Sequence, residues 1–273
     1  LVDIDKRRAE GEAMDLNHGV AFAPSSMRIY AGDYSDCTDA DVVVICAGVS
    51  QKPGESRLDL LKRNAAVFQS IISPITHSGF SGIFLVATNP VDIMTRVTYE
   101  LSGFNSNRVF GTGTTLDTAR LRYLLGDYFT VDPRNVHAYV IGEHGDSQTI
   151  LWSQTRAGGV LADKLLTPEQ MSQIEQDTVT AGCEIALHKG STEFGIGMAA
   201  CEIIQAILGD EHRIFLFSGP KGRLRTERPV YQCSLHHLQR GRRSAEGIGS
   251  DFRRDGKIYG KLRHVKRHDP KMS

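Results

Sequence analysis

The sequence predicts a doubly wound α/β fold, a parallel sheet flanked by helices, followed by a second domain of α+β character. Three observations carry this. Asp41-Val42-Val43-Val44-Ile45-Cys46-Ala47-Gly48 is apolar from its acid to its glycine, as a strand covered on both faces must be. Ile83-Phe84-Leu85-Val86-Ala87 repeats the pattern and ends at Thr88-Asn89-Pro90. Between them Leu58, Leu61, Ala65, Phe68 and Ile72 recur at helical spacing, with Pro74 expected to bend or end that helix. Strands alternating with helices in this way build parallel sheets.

The remaining elements follow in order. Leu1-Val2-Asp3 reads as the end of a buried strand, because an apolar pair meets an acid and then a helical pattern with Ala9, Ala13, Met14 and Leu16. The chain is therefore expected to start mid-fold. After residue 111 the texture changes. Leu116, Ala119, Leu121, Leu124 and Leu125 mark a helix, and Val136-His137-Ala138-Tyr139-Val140-Ile141 marks a strand running into the loop of His144. Two long helical patterns, near 168–188 and 194–208, are separated by Lys189-Gly190-Ser191. The expected division is a first α/β domain over 1–111, a substrate-facing domain over 112–215 whose helix 193–212 returns to the first, and a basic tail over 216–273.

A chain of 273 residues with 40% hydrophobic content can bury a sizeable core. No apolar run approaches the roughly 18 residues of a membrane helix, and no charged-then-apolar leader opens the sequence, so a cytoplasmic protein without membrane partners is expected. Cys37, Cys46, Cys183, Cys201 and Cys233 form no C-x-x-C pair, which suits reduced thiols and gives no support to a metal site. The net charge of zero conceals a split. Residues 216–273 hold 15 Lys and Arg against 5 Asp and Glu, whereas residues 1–215 hold 17 against 27. Such a tail is either a nucleic-acid arm or sequence that never served as a domain, and its few aromatics and lack of a recognisable module disfavour the first.

Three strings supply chemistry: Gln51-Lys52-Pro53-Gly54-Glu55-Ser56-Arg57, Asp117-Thr118-Ala119-Arg120 and Gly142-Glu143-His144-Gly145-Asp146. Together they hold a proton donor, a carboxylate partner and two guanidiniums, the groups that reduction of a 2-oxo acid requires. His144 follows an apolar strand in a Gly-flanked loop, at the strand end where α/β folds place ligands. A carboxylate on one imidazole nitrogen fixes the tautomer and leaves the other nitrogen to deliver a proton, and Asp117 is the candidate. Arg120, three residues on, shares its helical face and suits a substrate carboxylate. Arg57 lies in a Gly/Pro loop suited to a closing lid. Each has a plainer reading: a structural loop histidine, a helix N-terminal charge, a solvated arginine. Asp3 is either an acceptor for a ribose 2′-hydroxyl or a strand-end cap. Gly111-x-Gly113 lacks the third glycine of a dinucleotide motif and is discounted.

Taken in order, LVDIDKRRAEGEAMDLNHG, VVVICAGVSQKPGESRLDL, FLVATNPVDI, DTARLRYLLG, NVHAYVIGEHGD and HKGSTEFGIGM resemble the lactate/malate dehydrogenase family, and within it the Bacillus-type lactate branch, from residue 1 to about 215. The resemblance implies a Rossmann domain with NAD as cofactor, a small 2-oxo or 2-hydroxy acid as substrate, and hydride transfer between NADH and pyruvate. It implies His144 as proton donor, Asp117 as its orienting partner, Arg57 as the loop residue polarising the keto group, and Arg120 as the carboxylate clamp. Asn89 would contact substrate and nicotinamide ribose, Thr192 would line the pocket, and Ile196 would pack on the nicotinamide. Asp3, Ala47 and Gly48 would complete the cofactor site. Gln51 separates lactate from malate enzymes, because a neutral residue there leaves a second substrate carboxylate unpaired. Arg122 and His137 match positions that form a fructose 1,6-bisphosphate site between subunits in some members, which implies an allosteric homotetramer. The plainer readings are a surface helix Arg and a buried strand His.

Two departures accompany the likeness. The family's first strand and Gly-rich turn would precede Leu1, so the sheet is expected to lack its first strand and the chain to be a fragment, with an inert product as the alternative to an active enzyme. From about Leu216 the likeness stops. The expectation is a reading-frame slip: with codons chosen freely and read one base later, residues 251–271 can give ISEEMERFMENSVTLKDMIRK followed by a stop, and Pro220 to His237 can give LKGDYGQNDLYISVPSII. The first has an amphipathic helical period.

Overall fold

The computed structural model describes residues 1–219 except 51 and 53, together with 233–234. Gln51 and the side chain of Arg57 therefore lie outside the described residues, as does most of the basic tail, including residues 251–271 of the expected frame slip and all of its 220–237 segment but 233–234.

Three parallel strands form the first sheet, β1 (Val42–Ile45), β2 (Ile83–Val86) and β3 (Val109–Gly111), in that spatial order. The register sets Val42 beside Ile83 and Phe84 beside Val109. Side chains alternate across a strand, so β2 feeds both faces. Phe84 and Val86 pack with Phe68, Ile72 and Ile75 of α2 (Arg57–His77) and Met94 and Val97 of α3 (Val91–Ser102). Leu85 packs on the opposite face with Ala200, Ile203 and Ala206 of α6 (Phe194–Leu208), together with Phe110, Phe215 and Phe217. Two covered faces are why the strand sequences read as unbroken apolar runs.

The structure departs from the sequence reading at several points. Helix α2 continues through Pro74 to His77. Pro74 sits in the last turn, where its missing N–H removes a single bond close to an end that frays anyway. Leu1-Val2-Asp3 is not a buried strand: Leu1 is 50% and Val2 43% exposed, and the segment is held by hydrogen bonds from the Leu1 ammonium to the Tyr30 carbonyl and from the Gly32 N–H to the Leu1 carbonyl. No layer among the described residues covers that apolar pair. The following helix, α1 (Lys6–Gly19), buries Ala9 and Ala13 and leaves Met14 and Leu16 exposed.

The second core gathers Leu121 and Leu125 of α4 (Thr115–Phe129) with Val136, Ala138, Val140, Ile150 and Ile174, the last from α5 (Pro168–Lys189). The expected single strand over 136–141 is two short ones. β4 (Val136–His137) and β5 (Val140–Ile141) take different antiparallel partners: Ala157 faces Val136, and Ile150 faces Val140. Two threonines of the α4 region brace the second piece. Thr114 donates to the Val140 carbonyl at 2.5 Å, and the Val140 N–H donates to Thr118 Oγ1 at 3.0 Å. This bracing aims the loop that follows β5.

Gly111 and Gly113 serve packing. The N–H and carbonyl of Gly111 pair with those of Ser218 at 2.9 and 3.1 Å, and a Cβ at Gly113, whose φ is +52°, would sit 2.5 Å from Phe217 Cα. Leu216, Phe217 and Ser218, which the sequence assigns to the basic tail, are buried against this edge. Among the described residues no helix is long and apolar enough to cross a membrane.

Candidate active site

The first turn of α4 carries Asp117, which is 1% exposed, and Arg120 lies one turn further on the same face. Their spacing brings Arg120 Nη1 to 2.9 Å from Asp117 Oδ1. His144 stands in the loop after β5, between Gly142 at φ +98° and Gly145 at φ +136°, conformations that glycine adopts without strain. Its Nδ1 lies 2.6 Å from Asp117 Oδ2. An ionised carboxylate only accepts, so Nδ1 carries the hydrogen and Nε2 is the nitrogen left for proton exchange. The hydrogen bond to Asp117 raises the His144 pKa above its ordinary value. Burial opposes that rise, the Asp117 charge adds to it, Arg120 lowers it and Asp92 raises it. The arrangement therefore favours a protonated imidazole beside a cation that Asp117 also balances.

The Arg120 guanidinium also lies close to a glycine of α5 that the sequence did not single out. A Cβ at Gly182 of α5 would lie 3.3 Å from Arg120 Nη2 and 3.4 Å from Nη1, so glycine there lets the guanidinium lie against the helix. Its sequence signal is a glycine inside a long helical pattern, which by propensity alone costs about 1 kcal/mol relative to alanine.

A second group of residues lies at the carboxyl ends of β1 and β2. Thr88 Oγ1 donates to the Ala47 carbonyl at 2.8 Å, and the buried Asn64 accepts the Val49 N–H through Oδ1 at 2.8 Å. A Cβ on Gly48 would meet Thr88 Cγ2 at 2.8 Å and Asn64 Oδ1 at 3.2 Å, so the backbone turns here in a space that excludes a side chain. Ala47, Gly48 and Asn89 are exposed on this shelf. Two adjacent strand ends with exposed backbone are where an α/β sheet receives a dinucleotide, and the residues present fit one. Asp3 is exposed, with Oδ1 accepting the Asp5 N–H at 2.9 Å. Asn64 and Thr88, which brace the shelf, and Asp92, which binds the His144 backbone N–H at 3.0 Å, were not legible as site residues.

The other candidates lie on neighbouring elements. Thr192 is exposed in the link between α5 and α6, and Ile196 is half-buried in the first turn of α6. Arg122 donates through Nε to the Pro133 carbonyl at 3.1 Å. His137 is exposed on β4 opposite Arg156, not buried as its plainer reading had it, because this strand presents alternate residues to solvent. Among the described residues no group of three or more His, Cys, Asp or Glu is placed to hold a metal ion.

Residues 1–111 match the lactate/malate dehydrogenase NAD binding domain, and residues 114–220 match the lactate/malate dehydrogenase alpha/beta C-terminal domain. The chain belongs to the lactate/malate dehydrogenase family. Within the family, it is 50% identical over 237 residues to an L-lactate dehydrogenase of Geobacillus thermodenitrificans, covering 85% of this chain and 75% of that protein. It is 49% identical over 224 residues to L-lactate dehydrogenase 2 of Bacillus cereus, covering 80% and 71%. A crystal structure of a lactate dehydrogenase from a Medee basin deep-sea metagenome library superposes with a TM-score of 0.80 at 48% identity, covering 85% of this chain and 76% of that one. The minor L-lactate dehydrogenase of Enterococcus mundtii, in its ligands-bound form, superposes at 0.85 with 36% identity, covering 98% and 87%. The family match runs to residue 220, past the limit near 215 read from the sequence strings.

Proposed function

We propose that this chain is an NAD-dependent L-lactate dehydrogenase, interconverting pyruvate and L-lactate. The observation that carries the reading is the pair of contacts on Asp117, with His144 Nδ1 at 2.6 Å and Arg120 Nη1 at 2.9 Å. Bound NADH supplies the hydride. The protein's own groups do the rest: His144 Nε2 gives a proton to the carbonyl oxygen, and Asp117 holds the ring and stabilises its charged form. Arg120 fixes the substrate carboxylate, and Arg57 polarises the keto group as its loop closes and excludes water. Asp3, Ala47, Gly48, Asn89 and Ile196 hold the cofactor, with Asn89 and Thr192 also lining the substrate pocket. The proposed division is an NAD-binding domain over 1–111 and a catalytic domain over 112–215, with the 193–212 helix lying on the first.

Gln51 sets the choice of acid, since a second carboxylate would meet no cation in this position. An unpaired desolvated charge costs about 3–5 kcal/mol, so pyruvate is expected to exceed oxaloacetate in kcat/KM by at least about a hundredfold. Initial rates of NADH oxidation with each acid test this, and a preference for oxaloacetate would reject the lactate assignment. The same reading places the enzyme in the cytoplasm, in fermentation and glycolysis, as a homotetramer. Arg122 and His137 supply cations for an effector such as fructose 1,6-bisphosphate, which would bridge charges that otherwise repel across a subunit boundary.

A further inference from the structure

Asp92 joins three segments that are distant in sequence. It stands in the first turn of α3, two residues after Pro90 of the Asn89-Pro90 pair that ends the cofactor shelf. Its Oδ2 accepts the His144 backbone N–H at 3.0 Å, and its Oδ1 accepts the Ser218 hydroxyl at 2.7 Å. Neither partner is a loose surface group. Ser218 is 1% exposed and is itself paired with Gly111 of β3 through both backbone groups. The ring of His144 is tied to Asp117 and its main chain to Asp92, so two carboxylates from different helices determine where this residue sits.

We propose that Asp92 is a positioning residue for proton donation, its carboxylate fixing the main chain of His144 relative to Asn89 and to the Ser218 segment. The inference rests on the reading of His144 as the proton donor. Three features of the site suit a carboxylate here. The donors on its two oxygens are a backbone N–H and a hydroxyl, and a carboxylate accepts both at once. The N-terminus of α3 favours a negative charge in its first turn. The charge also has a target: among the described residues the charged groups that shift the His144 ring are Asp117 and Arg120 from α4 and Asp92 from α3, and Asp92 raises the imidazole pKa. Burial pushes the Asp92 carboxyl above its ordinary value, while the Ser218 hydroxyl and the His144 N–H hold it down.

The test compares Asp92→Asn, which keeps shape and can keep both hydrogen bonds once the Ser218 hydroxyl turns to accept, with Asp92→Ala, which removes the tether. Both are made in the full chain. The readouts are kcat/KM for pyruvate against pH, NADH affinity, and the His144 ring titration followed by NMR. Asp92→Asn is expected to move the ring titration and the descending limb of pyruvate reduction together to lower pH. Asp92→Ala is expected to lower kcat per folded molecule on the order of tenfold with NADH affinity unchanged. A merely structural Asp92 would instead alter thermal stability and folded fraction, leaving the ring titration in place. An unmoved titration in Asp92→Asn overturns the proposal, and so does an unaltered kcat in Asp92→Ala. Failure of the unaltered chain to reduce pyruvate would remove the lactate dehydrogenase reading instead, and the ring titration would still decide the coupling of Asp92 to His144.

Discussion

Replacing His144 by Gln is expected to lower the turnover of pyruvate by about 10²–10⁴-fold, the usual contribution of a positioned general acid. Glutamine fills similar space and keeps a polar end, so the loop between Gly142 and Gly145 retains its path. What it lacks is a proton exchangeable near neutral pH. NADH affinity is expected to stay within about twofold, because the shelf formed by Ala47, Gly48 and Asn89 is built on β1 and β2, with Asn64 and Thr88 as its braces. Stopped-flow or steady-state rates, paired with NADH fluorescence titration, separate the two quantities. Turnover equal to the unaltered protein would remove His144 from the chemistry.

The second large effect is expected at Asp117. Its two oxygens serve two cationic partners, His144 at 2.6 Å and Arg120 at 2.9 Å, in a position only 1% exposed. Asn offers one acceptor and turns an N–H₂ toward whichever donor remains. The substitution therefore leaves a largely buried guanidinium without its counter-charge, a loss of about 3–5 kcal/mol when one member of a buried pair is removed. It also takes away the main cause of the raised His144 pKa. Asp117→Asn is expected to cut kcat/KM for pyruvate by at least about a hundredfold, with residual activity confined to lower pH than in the unaltered protein. Activity lost equally at every pH, with the ring titration unmoved, would mean that Asp117 acts only through Arg120.

Much of this site was legible in one dimension because its residues stand in distinct local contexts. His144 lies after a strand and between glycines, and Asp117 and Arg120 share a helical face. The buried strands were legible for a related reason: Val42–Ile45 and Ile83–Val86 are covered on both sides, which leaves no polar alternation to confuse the pattern. What stayed hidden depends on partners far along the chain. Nothing local to Asp92 signals a bond to Ser218, 126 residues away, or to His144, 52 away. The division of residues 136–141 into two strands follows from a change of partner, from Ala157 to Ile150, that a local pattern does not carry. Gly113 looked like part of a weak motif and Gly182 carried no local signal of a role, yet each has a close neighbour, Phe217 in one case and the Arg120 guanidinium in the other. Pro74 does not end its helix at once, because position within a helix, not residue type alone, decides whether proline stops it.

The central claim is that one imidazole, held charged by Asp117, gives its proton to the substrate carbonyl. The most direct measurement is the pH dependence of kcat/KM in both directions, pyruvate with NADH and lactate with NAD. A raised histidine pKa keeps the proton in place below that value and loses it as pH climbs through it. Pyruvate reduction is therefore expected to hold steady at lower pH and then fall about tenfold per pH unit above the His144 pKa, a value higher than the ordinary 6.5 or so, while lactate oxidation rises through the same pH. Slopes of the same sign in the two directions, or a reduction rate indifferent to pH across that range, would contradict it.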